Sequence, residues 1–489
     1  MKRPELKRYG LLAFITLLIT GIYLFWCARV NGTGFPLDDA WIHQTFARNL
    51  AEDGQWAFVK GEPSAGSTSP LWTLLISIGY LLHINPVLWT MSLGITWLIF
   101  TGVICDLMWQ RFQVLPKKLF LPLFGLLIVS EWHLIWAALS GMETTLYIFV
   151  ICTIFYLLLK ESPPWLLEGL LAGILVWIRP DGLTMLGPVL LLAVWNGDPW
   201  KKKARSVGLV LAATLVLILT YMVFNYHLDG TIWPNTLYAK QTEYAILREE
   251  PLILRFFKLF GQVHIGVGIT LIPGFLAKLF QVIKDRNRWA ISANLWLIGF
   301  IGIYAFQLPV TYQHARYLIP VIPIFLLMGF SGFIYLYKMF SQKKTSMVLV
   351  GKSWLMIIIA VQAGFCILGV KTYAMDVAII ETEMVSMAKW ISSNLPVDAR
   401  IATHDIGALG YFTKNELIDL AGLIDPEVIP IIRDEDELLK YIRSRNAEFL
   451  VTFPGWYPDL VLQGQKIYDT KGQFSPQAGG ENMAIYQMQ

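Results

Sequence analysis

Charge is scarce in this 489-residue sequence. Asp, Glu, Lys and Arg make up 15% of it, against about a quarter in average soluble domains. Cysteine is scarce too: Cys27, Cys105, Cys152 and Cys366 lie in or beside apolar runs, without the spacing of a disulfide framework or a zinc site, and neither is expected. No internal repeat is visible. What fills the chain instead is apolar, with 55% hydrophobic and 14% aromatic residues and a mean hydropathy of +0.53. This excludes a soluble enzyme and a disordered chain alike.

The charge that is present is unevenly placed. Residues 371–489 carry 10 basic and 17 acidic groups, net −7, while residues 1–370 carry 29 and 18, net +11. We read a basic, membrane-embedded body over 1–370 and an acidic, water-soluble domain over 371–489. The basic residues sit in short clusters between apolar runs, which argues against a nucleic-acid partner.

A helix needs about 20 apolar residues to cross a hydrocarbon core of about 30 Å. Candidate spans lie at roughly 10–30, 87–109, 118–136, 143–160, 165–179, 182–196, 206–226, 252–283, 289–309, 316–337 and 346–370. Lys2, Arg3, Lys7 and Arg8 precede the first, but no small-residue cleavage site follows it, so it is read as a retained helix. The apolar stretch Pro70–Ile84 is short. If it lies in the interface, the basic loops Arg111/Lys117/Lys118, Lys201–Lys203 with Arg205, Lys284/Arg286/Arg288 and Lys338/Lys343/Lys344 all share one side with the N-terminus. Positive charge marks the cytoplasmic side. The expected fold is therefore a polytopic α-helical membrane protein of the cytoplasmic (inner) membrane. It has about 11 transmembrane helices, interfacial helices, a cytoplasmic N-terminus and a small extracytoplasmic α/β domain at the C-terminus.

In that topology the unusual segments share the external face: 31–69, Ser140–Thr144, Arg179–Gly182, His227–Glu250 and Thr311–Arg316. The first contains Leu37-Asp38-Asp39-Ala40-Trp41-Ile42. Adjacent carboxylates at a membrane surface resist ionising together unless cations or donors share their charge, so one can act as a general base while its partner tunes or orients it. An Asp at a helix start also offsets the helix dipole, and both roles can hold. From Ala40 to Glu52, Ile42, Phe46 and Leu50 form one stripe with His43, Arg48 and Glu52 off it, the pattern of an amphipathic helix in the interface.

These segments resemble a known family. Leu37–Ile42, Phe46-Ala47-Arg48-Asn49-Leu50, Gly61-Glu62-Pro63 and Gly66-Ser67-Thr68-Ser69-Pro70-Leu71-Trp72 are similar to the first external loop of GT-C glycosyltransferases, polytopic enzymes using polyprenyl-phosphate-linked sugars. Ser140-Gly141-Met142-Glu143-Thr144, Arg179-Pro180-Asp181-Gly182, Pro234–Lys240, Arg316–Pro320, Gly407–Phe412 and Asp419–Pro426 extend the likeness along most of the chain. The branch it resembles most contains the cell-wall arabinofuranosyltransferases and protein-mannosyltransferase-like enzymes. It departs from them at Thr45, where an Arg is frequent, at Ala65, where a Glu is common, and at Ser67, where an aromatic is common.

The resemblance implies inverting transfer of a sugar from polyprenyl phosphate to a hydroxyl of an extracytoplasmic glycan, lipid or protein. It assigns Asp38 as the base, with Asp39 orienting it or helping to hold a divalent cation (Mg, Mn or Ca). Retention would need a second positioned carboxylate, for which Glu143 is the obvious candidate. Lys240, Arg316, His314, Arg179 and Arg48 are the external cations able to meet the donor phosphate; each can equally be a snorkelling residue at a span end. Glu143, Trp41, Thr68, Asn235, Tyr238 and His404 are candidates for sugar or acceptor contact. Anchoring at the interface is the commoner role for Trp41, Trp56 and Trp72, loop bracing for Asn235, and a satisfied polar role for His43 and His404.

After Val370, helix is expected near 378–393, strands at Arg400–Thr403, Leu417–Leu420 and Phe449–Phe453, and helix at Asp434–Arg445, giving an α/β layer of parallel strands. The alternative function is a transporter or flippase without covalent chemistry. Such proteins carry ionisable groups or broken helices at mid-depth and repeated halves; the spans here hold few charges, with Asp106 and Glu168 the exceptions.

Overall fold

The computed structural model describes residues 3–113, 121–342 and 345–488. Lys2, Lys117, Lys118, Lys343 and Lys344, part of the charge asymmetry above, lie outside the described residues.

The chain opens with α1 (Arg3–Val30). After a short loop the Asp pair begins α2 (Asp39–Asp53), followed by a small antiparallel hairpin, β1 (Ala57–Val59) and β2 (Glu62–Pro63). Next come α3 (Pro70–Leu81) and α4 (Pro86–Gln113). At 12 residues, α3 spans about 18 Å, too short to cross a bilayer, and it packs along α2.

The expected span 118–136 is divided. Helices α5 (Leu123–Val129) and α6 (Trp132–Leu139) break at Ser130–Glu131. There the Glu131 carboxylate caps α6 by accepting the Leu134 N–H at 3.0 Å, and lies 2.8 Å from His133 Nδ1. Helix α7 (Thr144–Leu158) follows. Helix α8 (Trp165–Ile178) ends where Arg179 turns extended (φ −154°, ψ 136°) before Pro180, and a 3-10 turn leads into α9 (Leu186–Trp195). Helices α10 (Trp200–Asp229) and α11 (Asn235–Glu243) come next. The expected span 252–283 is likewise two helices, α12 (Leu252–Val263) and α13 (Val267–Lys284). Trp132 Nε1 donates to Ile265 O at 3.0 Å, tying the two breaks together.

Helix α14 (Arg288–Gln307) leads to a single turn, α15 (Tyr312–Ala315), and then to α16 (Ile322–Ser341) and α17 (Thr345–Ile380). Among the described residues, seven helical segments are long and apolar enough to cross a membrane, together with shorter apolar helices including α7, α8 and α9. The segment 312–341 is central, with 83% of its apolar window buried. It meets α13 where a Cβ on Gly332 would strike Gly274 O, so the small residue lets two backbones touch. Leu215, Val216, Leu219 and Val223 on α10 are exposed, as lipid-facing residues are. At the α1 and α4 contact, Arg8 Nη2 reaches Asp106 Oδ2 at 2.7 Å, so this mid-sequence acid is paired.

Helix α17 continues through a π-helical turn, Glu381–Val385, into α18 (Ser386–Asn394). A five-stranded sheet follows: β3 (Arg400–Thr403), β4 (Glu416–Asp419), β5 (Phe449–Thr452), β6 (Gly464–Asp469) and β7 (Ala484–Met488), in the order β4-β3-β5-β7-β6. The first three are parallel, as the sequence suggests, but β7 runs antiparallel to both β5 and β6. Helices α19 (Gly407–Phe412) and α20 (Glu435–Ser444) join these strands. Helix α19 packs directly on α2, setting the C-terminal segment against the Asp pair.

Candidate functional site

Phe35 and Leu37 are fully buried, which draws the loop before α2 into the molecule. The two aspartates then diverge. Asp38 does not cap its own helix. Its oxygens accept the Gly407 N–H at 2.7 Å and the Ala408 N–H at 2.8 Å, across 369 and 370 residues of sequence. A Cβ at 407 would strike Asp38 O, so only glycine permits this approach. Burial pushes the Asp38 carboxyl up to about 8, reinforced by Asp405 and opposed by the two amides.

Asp39 faces a cavity of about 460 Å³. Its Oδ2 receives Lys240 Nζ at 3.3 Å and a close hydrogen bond from Arg316 Nη2. The same two cations donate to Tyr317 Oη, at 3.0 Å and 2.9 Å. Burial alone would raise the Asp39 carboxyl, but Lys240 and Arg316 outweigh it and hold the group far below the usual carboxylate range. Two cations, a carboxylate and a phenol oxygen thus form one closed ring of contacts on the wall. Arg316 enters it from an unusual turn: Gln313, His314 and Ala315 all have positive φ, at 49°, 61° and 52°, a conformation that L-residues other than glycine adopt at a cost.

Helical spacing brings Asp39, Ile42 and His43 to the same wall. His43 Nδ1 lies 3.3 Å from both Thr73 Oγ1 and Ser67 Oγ, and Nε2 is 3.9 Å from Glu143 Oε2. Burial holds the His43 imidazole below its ordinary pKa, opposed by Glu143 and Asp39. Glu143, 5% exposed, also lines the cavity and leaves Oε2 without a hydrogen-bond partner. Arg179 is held bidentately by Asp181, at 3.1 Å and 2.8 Å, and Tyr304 donates to Asp181 at 2.7 Å. Leu183, Leu237, Ile303 and Leu308 add apolar surface to the cavity lining.

Of the residues singled out in the sequence, Asp39, Thr68, Glu143, Arg179, Lys240 and Arg316 line this cavity, and His43 joins them. Others are engaged elsewhere. His314 lies 2.8 Å from Asp376 Oδ2 on α17, between Trp132 and Trp136. Arg48 donates to Tyr411 O at 2.8 Å and stacks on that ring. Trp41, 4% exposed, packs on Phe35, Tyr411 and Phe412. Asn235 braces its loop through Asp229 at 2.6 Å, Tyr238 is partly exposed outside the cavity, and His404 contacts Tyr457 and Glu243. Because Trp41 and Arg48 hold the C-terminal segment, α2 is buried along most of its length rather than half-exposed in an interface. Asp39 does not fit a divalent cation: its Oδ2 is occupied by two cationic side chains, and no group of three or more His, Cys, Asp or Glu among the described residues is arranged for metal. Tyr317, Asp181, Tyr304, Glu243 and Asp405 carry no role read from the sequence, although Asp181 and Tyr317 fall within segments that resemble the family.

Residues 376–486 match a family model described as "Domain of unknown function (DUF8728)". No curated protein matches the sequence. The structure is similar to that of ArnT from Cupriavidus metallidurans bound to undecaprenyl phosphate, at 14% identity and TM-score 0.59 over 98% of this chain and 97% of that one. It is similar to the Archaeoglobus fulgidus oligosaccharyltransferase at 10% identity and TM-score 0.60, over 91% and 69% of the two chains. It also matches the arabinofuranosyltransferase AftD from Mycobacteria at 12% identity and TM-score 0.52, over 98% of this chain but 41% of that one. The chain therefore has the polytopic GT-C fold that these membrane proteins share.

Proposed function

We propose that the protein is an inverting glycosyltransferase that takes a sugar from a polyprenyl-phosphate-linked donor and joins it to an acceptor hydroxyl at the external membrane face. The observation that carries this reading is the cavity itself. It sets a pair of cations beside one carboxylate in a cavity whose lining is otherwise largely apolar. Leu183 and Ile303 in that lining are 38% and 41% exposed, which suits an apolar lipid-linked molecule. Neighbouring folds have been captured with undecaprenyl phosphate and with a dolichol-phosphate.

In this reading the donor phosphate takes the contacts that Lys240 and Arg316 now make with Asp39. Releasing Asp39 from two cations raises its proton affinity toward that of an ordinary carboxylate. Asp39, rather than the Asp38 implied by family likeness, then accepts the acceptor hydroxyl proton. The acceptor oxygen bonds to the anomeric carbon as the bond from that carbon to the phosphate oxygen breaks. The electron pair leaves with polyprenyl phosphate, where Lys240, Arg316 and the Tyr317 hydroxyl stabilise it. A single displacement inverts the anomeric centre. Glu143, with its free buried oxygen, accepts a hydrogen bond from a sugar hydroxyl.

The test is a purified protein in nanodiscs offered undecaprenyl-phosphate-linked mannose, glucose and arabinofuranose. Release of undecaprenyl phosphate together with a new glycosidic product supports the reading. Movement of donor between leaflets with no glycosidic product contradicts it and favours the flippase.

A further inference from the structure

A second cluster of polar and aromatic groups sits outside the cavity, where the C-terminal segment meets α11. Glu243 lies one turn beyond Lys240 on that helix, and its Oε1 is 3.5 Å from His404 Nε2. His404 Nδ1 is 2.8 Å from the buried Tyr457 hydroxyl. Trp456 sets its ring edge-on to His404 at 4.9 Å, rests on Phe453 at 5.2 Å, and is 50% exposed. The turn carrying it is braced by Gly455 N–H donating to Glu481 at 2.6 Å.

Asp405 lies between two anchors. His404 before it is tied to the helix of Lys240, and Gly407 and Ala408 after it are tied to Asp38, beside Asp39. This bracketing sets Asp405 over the Asp pair, and its Oδ2 is buried without a hydrogen-bond partner. A buried carboxylate oxygen left unpaired is costly unless something supplies a donor.

We propose that Asp405, His404, Glu243 and Trp456 form the acceptor subsite, and that it takes a neutral glycan. This rests on the transferase reading above. Carboxylates accept hydroxyl donors, and a half-exposed indole offers a flat apolar face to the C–H side of a sugar ring. Glu243 and Asp405 both act on Tyr457 and on His404, so this pair of carboxylates disfavours phosphorylated or carboxylated acceptors. Burial, aided by Asp39 and Glu243 and opposed by His404, raises the Asp405 carboxyl to about 6, consistent with a group awaiting a donor.

The full-length protein in nanodiscs would be titrated with mannan, arabinan and β-glucan oligosaccharides, and with an anionic galacturonan, using saturation-transfer NMR. A neutral oligosaccharide binds, the galacturonan does not, and W456A and D405N each weaken binding about tenfold or more. L462A, at an exposed residue elsewhere in the C-terminal segment, does not change it. D405N is isosteric, so its effect separates recognition from misfolding. Binding that survives both variants, or galacturonan binding as tightly as the neutral chains, overturns the subsite. Donor release without any glycan binding overturns it too, while leaving the transferase standing. Glycan binding in a protein that consumes no donor supports the subsite and contradicts the transferase.

Discussion

Lys240 and Arg316 each contact both Asp39 Oδ2 and Tyr317 Oη, so removing one leaves the other facing the cavity carboxylate alone. K240M is expected to lower donor consumption about a hundredfold or more, mainly by raising KM, because charge-assisted contacts to phosphate are strong. An unchanged KM would place the phosphate elsewhere. E143Q keeps the side chain's size but replaces one oxygen with a donor. It should lower kcat/KM about tenfold with an unaltered Tm, and a loss of Tm without loss of kcat/KM would make Glu143 structural. Of the five external cations conspicuous in the sequence, Arg179, Lys240 and Arg316 line the cavity, while Arg48 and His314 turn elsewhere. Which aspartate faces the cavity was not legible in the sequence. Successive helical residues differ by about 100° in direction, and the phase of α2 is fixed by Gly407 and Ala408, hundreds of residues away. His314 shows the same limit: a histidine two positions from Arg316 turns instead to Asp376.

The turn of three left-handed residues before Arg316 is a strained element beside the cavity. A315G should relieve about 1 kcal/mol of that cost and raise Tm, while loosening Arg316 and lowering kcat. A lower Tm would mean the turn is not strained. The glycine contact between α13 and α16 behaves oppositely: G332V forces the backbones apart, and extraction yield or Tm should fall sharply. An unchanged Tm would show that the crossing adapts. Most apolar runs announced their helices, because 20-residue stretches have no soluble alternative. The breaks at Glu131 and Gly266 were not evident, since they depend on Glu131 capping α6 and on Trp132 reaching across to Ile265. The strands β3, β4 and β5 were legible from short apolar runs between turn residues. The strand β6, with a largely exposed burial pattern, offered no such signal.

At the scale of the whole molecule, the C-terminal segment is fastened to the membrane body by Asp38 on Gly407 and Ala408, Trp41 on Tyr411 and Phe412, Arg48 on Tyr411, and His404 with Glu243. Burial raises the Asp38 carboxyl to about 8, with Asp405 adding to it, and the Asp405 carboxyl to about 6, with Asp39 and Glu243 adding to it. For His404, burial is outweighed by Glu243, and its pKa is also raised. Groups with raised folded-state pKa values contribute stability that is full below their unfolded values and is lost as pH rises through the folded ones. Tm should therefore fall between about pH 4 and pH 8, and D405N should flatten the lower part of that slope; a Tm that rises over the range contradicts this coupling.

The central claim is that Asp39 performs the chemistry while Asp38 fastens the C-terminal segment over it. The direct test compares undecaprenyl phosphate release by wild type, D39N and D38N in nanodiscs with the best donor of the panel. Loss of about a thousandfold in D39N, with no more than about tenfold loss and a lowered Tm in D38N, is the expected result. Abolished release in D38N with an intact Tm, beside an active D39N, would contradict the account.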